Sequence, residues 1–597
     1  MGSLAASFAR AAADPGRVER MLLAAPHRGD GALVTSRGRC AIGISFPRAT
    51  ADAWLADEPD VLVAVSGVLD DQERLAKELA MSGHPATELR PASLVAAAWR
   101  AWGEDTPARL RGVFAAAVTD GRVLWAWRDQ LGYRALFFRT DAAGTLVASE
   151  AKQVIAGADI PREPDLEVLE RILFTDYDDE TPTALKGANR LPKASMLRAN
   201  DGSVAHRRYW RPESLLETAR LSDAELPERF DELFTTAIER SLTGDDMVSL
   251  SGGIDSTAIA AYAAPLSRER FGHPVAALSA VFPDQPAVDE SGYITMMTER
   301  LGMPATTYHR QLSPLDKLDT WTALFDGLVP VLVTPDAEVN FVAAKEAGYS
   351  NILYGFAAEL VMDMRRALLA HLLVHGRIGP LAHHVRMRLA RGKSPVSVGR
   401  QVVSAAVPGS AYRAYLRARP PRRGSRVPAW IDVGKVNDHA IRESVAPARQ
   451  WRRAQLGFVG PGLSVEAHEV LQEYFGVRSR HPWVDVDLWE FFLSLPAEQK
   501  FPDVRSKGLV KRLLRGRVPD EILDRRDKTV FNDSFSARID YPALRRWLAS
   551  PTWRVPGVDY DLLRERLDHE DLGVFDYIWA KDLASAHAFV STFETTS

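Results

Sequence analysis

Residues 247–257 read Met-Val-Ser-Leu-Ser-Gly-Gly-Ile-Asp-Ser-Thr. A short apolar run enters a Ser-Gly-Gly turn, and Asp255, Ser256 and Thr257 then open a small-residue helix, STAIAAYAA. Downstream the pattern repeats: VAALSAVF at 275–282, the helical ESGYITMMTERLG at 290–302, and SNILYG at 350–355. Upstream, 223–242 carries Leu226, Phe230, Leu233, Phe234, Ala237 and Ile238 at helical spacing, with Ser222 placed to cap it. Apolar strands alternating with helices predict a parallel sheet covered on both faces, an open α/β domain.

The first 210 residues read differently. Short apolar runs such as VLVAV (61–65), VFAAAV (113–118) and VLWAW (123–127) lie between turn residues. LPKASMLRANDGSVAHRRYW predicts a hairpin turning at Asn200 to Gly202, with Tyr209 and Trp210 anchoring its end. This is a strand-rich sandwich. With 597 residues the chain is too long for one ordinary domain, and we divide it at 1–211 and 212–597.

Composition narrows the classes. Hydrophobic residues make up 46% and charged residues 25%, the balance of a globular protein. With 74 basic against 78 acidic residues, a net charge of −4 gives no whole-protein field toward nucleic acid or a membrane surface. No apolar run is long enough for a bilayer span, and the N-terminus lacks the apolar core of a signal peptide. The single cysteine, Cys40, excludes an intramolecular disulfide and a cysteine-cluster metal site, and fits a reducing cytoplasm. An arginine-rich insert at about 365–426 reads as a solvated amphipathic helix pair plus a loop. A basic wall near an anionic ligand, or a docking surface, is the alternative.

The glycine turn carries the chemistry. Adjacent Gly252 and Gly253 let the backbone turn sharply and present successive N–H groups, and the helix N-terminus behind them adds positive partial charge. Ser251, Ser256 and Thr257 add hydroxyl donors. Asp255 would repel a phosphate directly but suits Mg²⁺ carrying phosphates. The Gly-Lys-Ser/Thr of a Walker A loop is missing, so γ-phosphate transfer is not implied.

SGGIDS after a strand resembles the pyrophosphate-binding loop of the ATP pyrophosphatases. Residues 110–155, together with PHRGDG at 26–31 and the 191–210 hairpin, resemble the glutaminase-type domain of asparagine synthetases. HPWVDVDL (481–488), SLPAEQKF, KRLLR (511–515) and RRDK (525–528) resemble that family's C-terminal half. The order of motifs agrees over nearly the whole chain. The resemblance implies an N-terminal α+β Ntn-hydrolase-like sandwich and a C-terminal α/β ATP-pyrophosphatase domain. It implies ATP and Mg²⁺ as cofactors, with ATP held by Ser249, Ser251, Gly252, Gly253, Asp255, Ser256 and Thr257. Asp255 and Glu359 are the implied metal ligands, and Lys528 and Glu359 the catalytic residues, with Lys528 over the oxyanion.

The departures are as informative. A class II glutaminase needs an N-terminal cysteine, whereas the chain starts Met1-Gly2-Ser3 and Cys40 lies inside the domain. The family's Asn-Gly oxyanion pair is Ser66-Gly67 here. Glutamine hydrolysis is therefore not expected, and the domain is a structural remnant or a docking surface. Phe356 stands where asparagine synthetases carry an acid and β-lactam synthetases a tyrosine base. The base must then come from Asp363, Glu338, Asp336 or the substrate. Asp289 and Glu290 are candidate metal or substrate contacts, and Lys511 and Arg515 secondary phosphate contacts or surface charge. Asp485 and Asp487 are expected to cap a helix.

Length, the arginine-rich insert and the HPWVDVDL to LPAEQKF region are most similar to the lasso peptide cyclases. That resemblance implies adenylation of an Asp or Glu side chain in a core peptide and macrolactam closure by the peptide's N-terminal amine. It implies a precursor or core peptide as substrate, with a leader-binding protein and a leader peptidase as partners. Two alternatives stay open. One is a β-lactam-synthetase-like or other glutamine-independent small-molecule amide synthetase. The other is a non-catalytic scaffold.

Overall fold

The computed structural model describes residues 2–594 apart from 47–53, 175–178, 202, 287, 310–312, 314, 330–333, 357, 359–367, 404–406, 409, 412–413, 415–417, 419–426, 437–461, 504–506, 526–538, 550 and 552. Glu359, Asp363 and Lys528 lie outside the described residues.

The N-terminal half is a four-layer sandwich. One six-stranded antiparallel sheet is centred on Leu4–Ala9, which pairs with Cys40–Phe46 and Gly144–Ala148; a second is centred on Gly112–Thr119, between Leu62–Leu69 and Leu124–Arg128. The strand period of two divides their apolar residues. Ala6, Ile42, Leu62, Ala115 and Leu124 fill the space between the sheets, while Val63, Val65, Ala116 and Val118 point outward to pack on the Pro91–Trp102 helix. The Pro15–Leu23 and Ala151–Ala158 helices cover the other outer face. Cys40 is fully buried in the middle layer, and burial pushes its thiol up to about 11. The expected hairpin forms between Ser195–Ala199 and Val204–Arg208. Its end is fixed by Tyr209, which donates to the Arg128 carbonyl at 2.5 Å, and by Trp210 Nε1, 2.8 Å from Glu490.

The second half contains a five-stranded, all-parallel sheet ordered Ala305–His309, Ala276–Val281, Asp246–Ser249, Asn351–Leu353, Arg478–Arg480. Successive side chains of the central strand enter different cores. Met247 joins Ala276, Leu278 and Ile352 on one face, and Val248 joins Ala277 and Leu353 on the other. Both are fully buried, each stabilising the fold by about 1.5–3 kcal/mol. The Glu225–Glu239, Ile254–Phe271 and Val486–Ser494 helices cover the second face; Thr334–Glu346 and Gly462–Phe475 cover the first. Ser222 and Glu225 cap the first helix reciprocally.

Chain order reverses between the Asp246–Ser249 and Asn351–Leu353 strands. The crevice beyond their carboxyl ends is therefore the position where such sheets bind ligands. In the described part of the arginine-rich insert there are three helices, Leu368–Val374, Ile378–Ala390 and Pro395–Val403, one more than the expected pair. Among the described residues no helix is long and apolar enough to cross a membrane.

Candidate active site

The central strand ends at Ser249, and the chain turns through Leu250 to Gly253 into the Ile254–Phe271 helix. Ser251 is exposed at the tip, whereas Gly252 and Ser256 are buried. The turn is tied internally: Ser251 N–H donates to Ser256 Oγ at 3.0 Å, and Gly253 N–H to Ser251 Oγ at 3.2 Å. Thr257 is fully buried, and its hydroxyl donates to the Gly253 and Ile254 carbonyls at 2.9 and 3.0 Å, closing the first helical turn. Of the three hydroxyls, Ser251 alone is exposed.

Gly252 N–H donates to Glu290 Oε2 at 3.0 Å. Glu290 also accepts from Arg525 at 2.7 Å, and the Arg525 guanidinium lies over the Tyr293 ring, 4.5 Å from its centroid. A carboxylate seated on a loop amide shows that this amide receives anions. Asp289 turns away, accepting from Phe282 N–H at 3.0 Å and from the Ser291 hydroxyl.

Asp255 lies one residue into the helix. Its carboxylate is ion-paired with Lys507, the residue preceding the Gly508–Leu513 helix. Its carbonyl accepts from Trp483 Nε1 at 3.0 Å. Trp483 belongs to HPWVDVDL and is buried, so this motif pins the start of the helix behind the glycine turn. Asp485 caps the next helix through the N–H groups of Asp487 and Leu488, as expected. Both aspartates bind Arg240, at 2.6 and 2.8 Å. Arg515 pairs with Asp520 and Asp524 at the surface.

The loop after Asn351–Leu353 forms the other wall. A Cβ on Gly355 would lie 3.0 Å from Asp255 Cβ and 3.0 Å from Ser256 N, so the two loops touch and a side chain there would crowd them. Phe356 follows, with His468 and His481 at ring-centroid distances of 6.2 and 5.8 Å; Tyr354 stacks on His481 at 5.6 Å. Burial holds His468 down at about 4 and His481 well below its ordinary value. Both imidazoles are thus neutral at pH 7, and the Nδ1 of each is buried without a hydrogen-bond partner among the described residues. Of the bases offered by the sequence, Glu338 is ion-paired with Lys317 at 2.8 Å.

These residues fit a nucleotide polyphosphate with its metal. A helix N-terminus, loop amides, one accessible hydroxyl and two cations lie around the Asp255 and Glu290 carboxylates, and Mg²⁺ commonly takes one or two carboxylates plus substrate phosphates. Lys507, His468 and His481 were not singled out from the sequence. The lysine had a visible signal, since SKGLVK precedes the quoted KRLLR. His481 heads the quoted HPWVDVDL, whereas His468 had no signal before the fold brought it there.

Arg134 is fully buried and lies against Gly2 and Ser66, the two positions that depart from the glutaminase pattern. Its Nη2 donates to the Gly2 carbonyl at 2.5 Å and its Nε to Ser66 Oγ at 3.0 Å. Ser66 Oγ donates to the same carbonyl at 2.8 Å. A Cβ at Gly2 would fall 1.5 Å from the Ser45 carbonyl oxygen, so no side chain fits at that position.

A family model described as Asparagine synthase matches residues 229–573, and one described as Glutamine amidotransferase domain matches 1–210. The chain is 25% identical over 493 residues to asparagine synthetase [glutamine-hydrolyzing] 3 of Bacillus subtilis (strain 168), covering 78% of this chain and 74% of that one. It is 33% identical over 181 residues, 28% of each chain, to a putative asparagine synthetase of Mycobacterium tuberculosis (strain ATCC 25618 / H37Rv). Among solved structures, a glutamine phosphoribosylpyrophosphate amidotransferase from B. subtilis aligns at 12% identity over 60% of this chain and 81% of that chain. Its TM-score of 0.27 is too loose to carry weight.

Proposed function

This chain belongs to the asparagine synthase family, and on that premise we propose that it is an ATP-dependent, AMP-forming amide ligase that closes a macrolactam in a core peptide, as lasso peptide cyclases do. The observation that carries this reading is the pairing of a built nucleotide loop with an altered glutamine centre. With Arg134 seated on Gly2 and Ser66, and Cys40 buried and held as a thiol, the attacking nitrogen must belong to the acyl substrate or a second amine.

In the first step a carboxylate oxygen, from an Asp or Glu side chain, attacks the α-phosphorus of ATP, and pyrophosphate leaves. In the second the peptide's N-terminal amine attacks the acyl carbon, the amide C–N bond forms, AMP leaves and the amine loses a proton. Ser251, the loop amides and the helix N-terminus hold the phosphates. Asp255, with Glu359 as the expected second ligand, would hold Mg²⁺, which screens phosphate charge when bound. Lys507, and Lys528 as implied by the resemblance, are the cations available to the acyl oxyanion and departing AMP. Holding amine and carboxylate in one folded peptide makes closure intramolecular. The accompanying leader-binding protein and leader peptidase belong to the same proposal.

The test is mass spectrometry of a leader-free core peptide incubated with the full chain and Mg·ATP. Loss of one water from the peptide with AMP released in step is expected. AMP formed only with aspartate or a small amino acid would replace the cyclase with a small-molecule amide synthetase, and no AMP under any condition would overturn the ligase.

A further inference from the structure

The Gly462–Phe475 helix touches both halves of the molecule on opposite sides. At 100° per residue, Glu466, Glu469 and Glu473 fall on one face, and that face meets the N-terminal domain. Glu466 binds Arg190 at 2.9 Å, and Glu469 binds Arg28 at 2.8 Å and the Ala135 N–H at 2.7 Å. Glu473 accepts from Arg134 Nη1 at 3.0 Å, and Glu469 lies 3.2 Å from the same nitrogen. His468 falls on the far face, with its ring centroid 5.2 Å from that of Tyr354, 6.2 Å from Phe356 and 5.5 Å from His481.

Arg134 is therefore shared. One side of its guanidinium binds Gly2 and Ser66, and the other grips the helix that backs the crevice. Arg28 and Arg134 are essentially unexposed, as is Glu469. Burial opposes the Arg28 charge, but Glu150, Glu469 and Glu473 together hold it above its ordinary value. Breaking one partner of such a buried set is strongly destabilising because a charge is left uncompensated. A remnant domain kept for bulk alone would not need this arrangement, since apolar residues of similar volume serve packing equally well.

We infer that the altered glutamine centre is a positioning device: Arg134, through Glu469 and Glu473, seats the Gly462–Phe475 helix so that His468 stays packed on Tyr354 and Phe356 beside the nucleotide loop. The device is independent of which acyl or amine substrate the crevice takes. Arg134, Glu469 and Glu473 are positioning residues, and the N-terminal domain supplies the anvil against which the ligase wall is set.

The experiment is NMR of the full chain labelled with ¹³Cε1-histidine, with the His468 line assigned by its loss in His468→Gln. Arg134→Lys keeps the charge but loses the fork, and Glu473→Gln keeps the shape but loses the charge. In both variants the His468 line is expected to shift or broaden, while Arg100→Lys, in a surface pair with Asp60, leaves it in place. A residue that only stabilises the fold would lower the melting temperature and leave that line unmoved, and an unmoved line in folded variants overturns the inference. Should neither variant fold, Ser66→Ala decides the matter, since it removes only one acceptor from Arg134. A shifted His468 line supports the device, and an unchanged one rejects it.

Discussion

Lys507 lays its ammonium on the Oδ2 oxygen of Asp255, joining the turn before the Gly508–Leu513 helix to the first turn of the nucleotide-loop helix. The pair keeps a cation and a carboxylate together at the mouth of the crevice. A metal held by Asp255 would compete with the Lys507 ammonium for that carboxylate. Lys507→Ala is expected to lower AMP formation by about 10²–10³-fold, the scale for losing one charge-stabilising donor, while calorimetric binding of Mg·ATP persists. Asp255→Ala should abolish binding of Mg·ATP. Lys507→Ala at parental rate would remove the lysine from the chemistry.

Gly355 is the contact between the two crevice loops. Gly355→Ala places a methyl 3.0 Å from Asp255 Cβ and Ser256 N, and overpacking of that kind costs about 1–3 kcal/mol. Mg·ATP affinity measured by titration calorimetry should fall about tenfold or more, with the far-ultraviolet circular dichroism spectrum unchanged.

Restoring a cysteine does not restore glutaminase. Gly2→Cys drives Cβ into the Ser45 carbonyl, and Arg134 remains bound to the Gly2 carbonyl and Ser66. Glutamate release from glutamine should stay at background and the melting temperature should drop. The native Cys40 thiol, pushed up to about 11 by burial, should resist a thiol reagent at pH 8 until the chain is unfolded.

Two buried histidines should make the fold sensitive to mild acid. Burial lowers His468 and His587 from 6.5 to about 4. Between those values the unfolded chain binds protons that the folded chain refuses, so stability is full above about pH 6.5 and declines as pH falls toward 4. Urea unfolding at pH 7.5, 6 and 5 should show this decline, and His468→Gln should flatten it. An identical slope in that variant would mean His468 is accessible in the folded state.

Much of the scaffold was legible. MVSLSGG, VAALSAVF and SNILYG became the three central strands of the parallel sheet because apolar runs buried on both faces leave an unmistakable pattern. The outer strands, Ala305–His309 and Arg478–Arg480, escaped notice: ATTYH and RSR carry too few apolar residues to stand out. The loop residues were found through their glycines, but the direction of each hydroxyl was not, and Thr257 turned inward. Arg134, Glu469 and Glu473 could not be linked by reading, since their partners are more than 300 residues apart in the chain and buried charge has no local spacing rule.

The strand order has a consequence for how such a chain can change. Between Leu353 and Arg478 the backbone leaves the sheet and returns to pair beside the strand it left. The arginine-bearing helices Leu368–Val374, Ile378–Ala390 and Pro395–Val403 all lie in that one connection, outside the central strand. A change of length confined to that connection would therefore alter one side of the crevice while the order of the five strands stays the same.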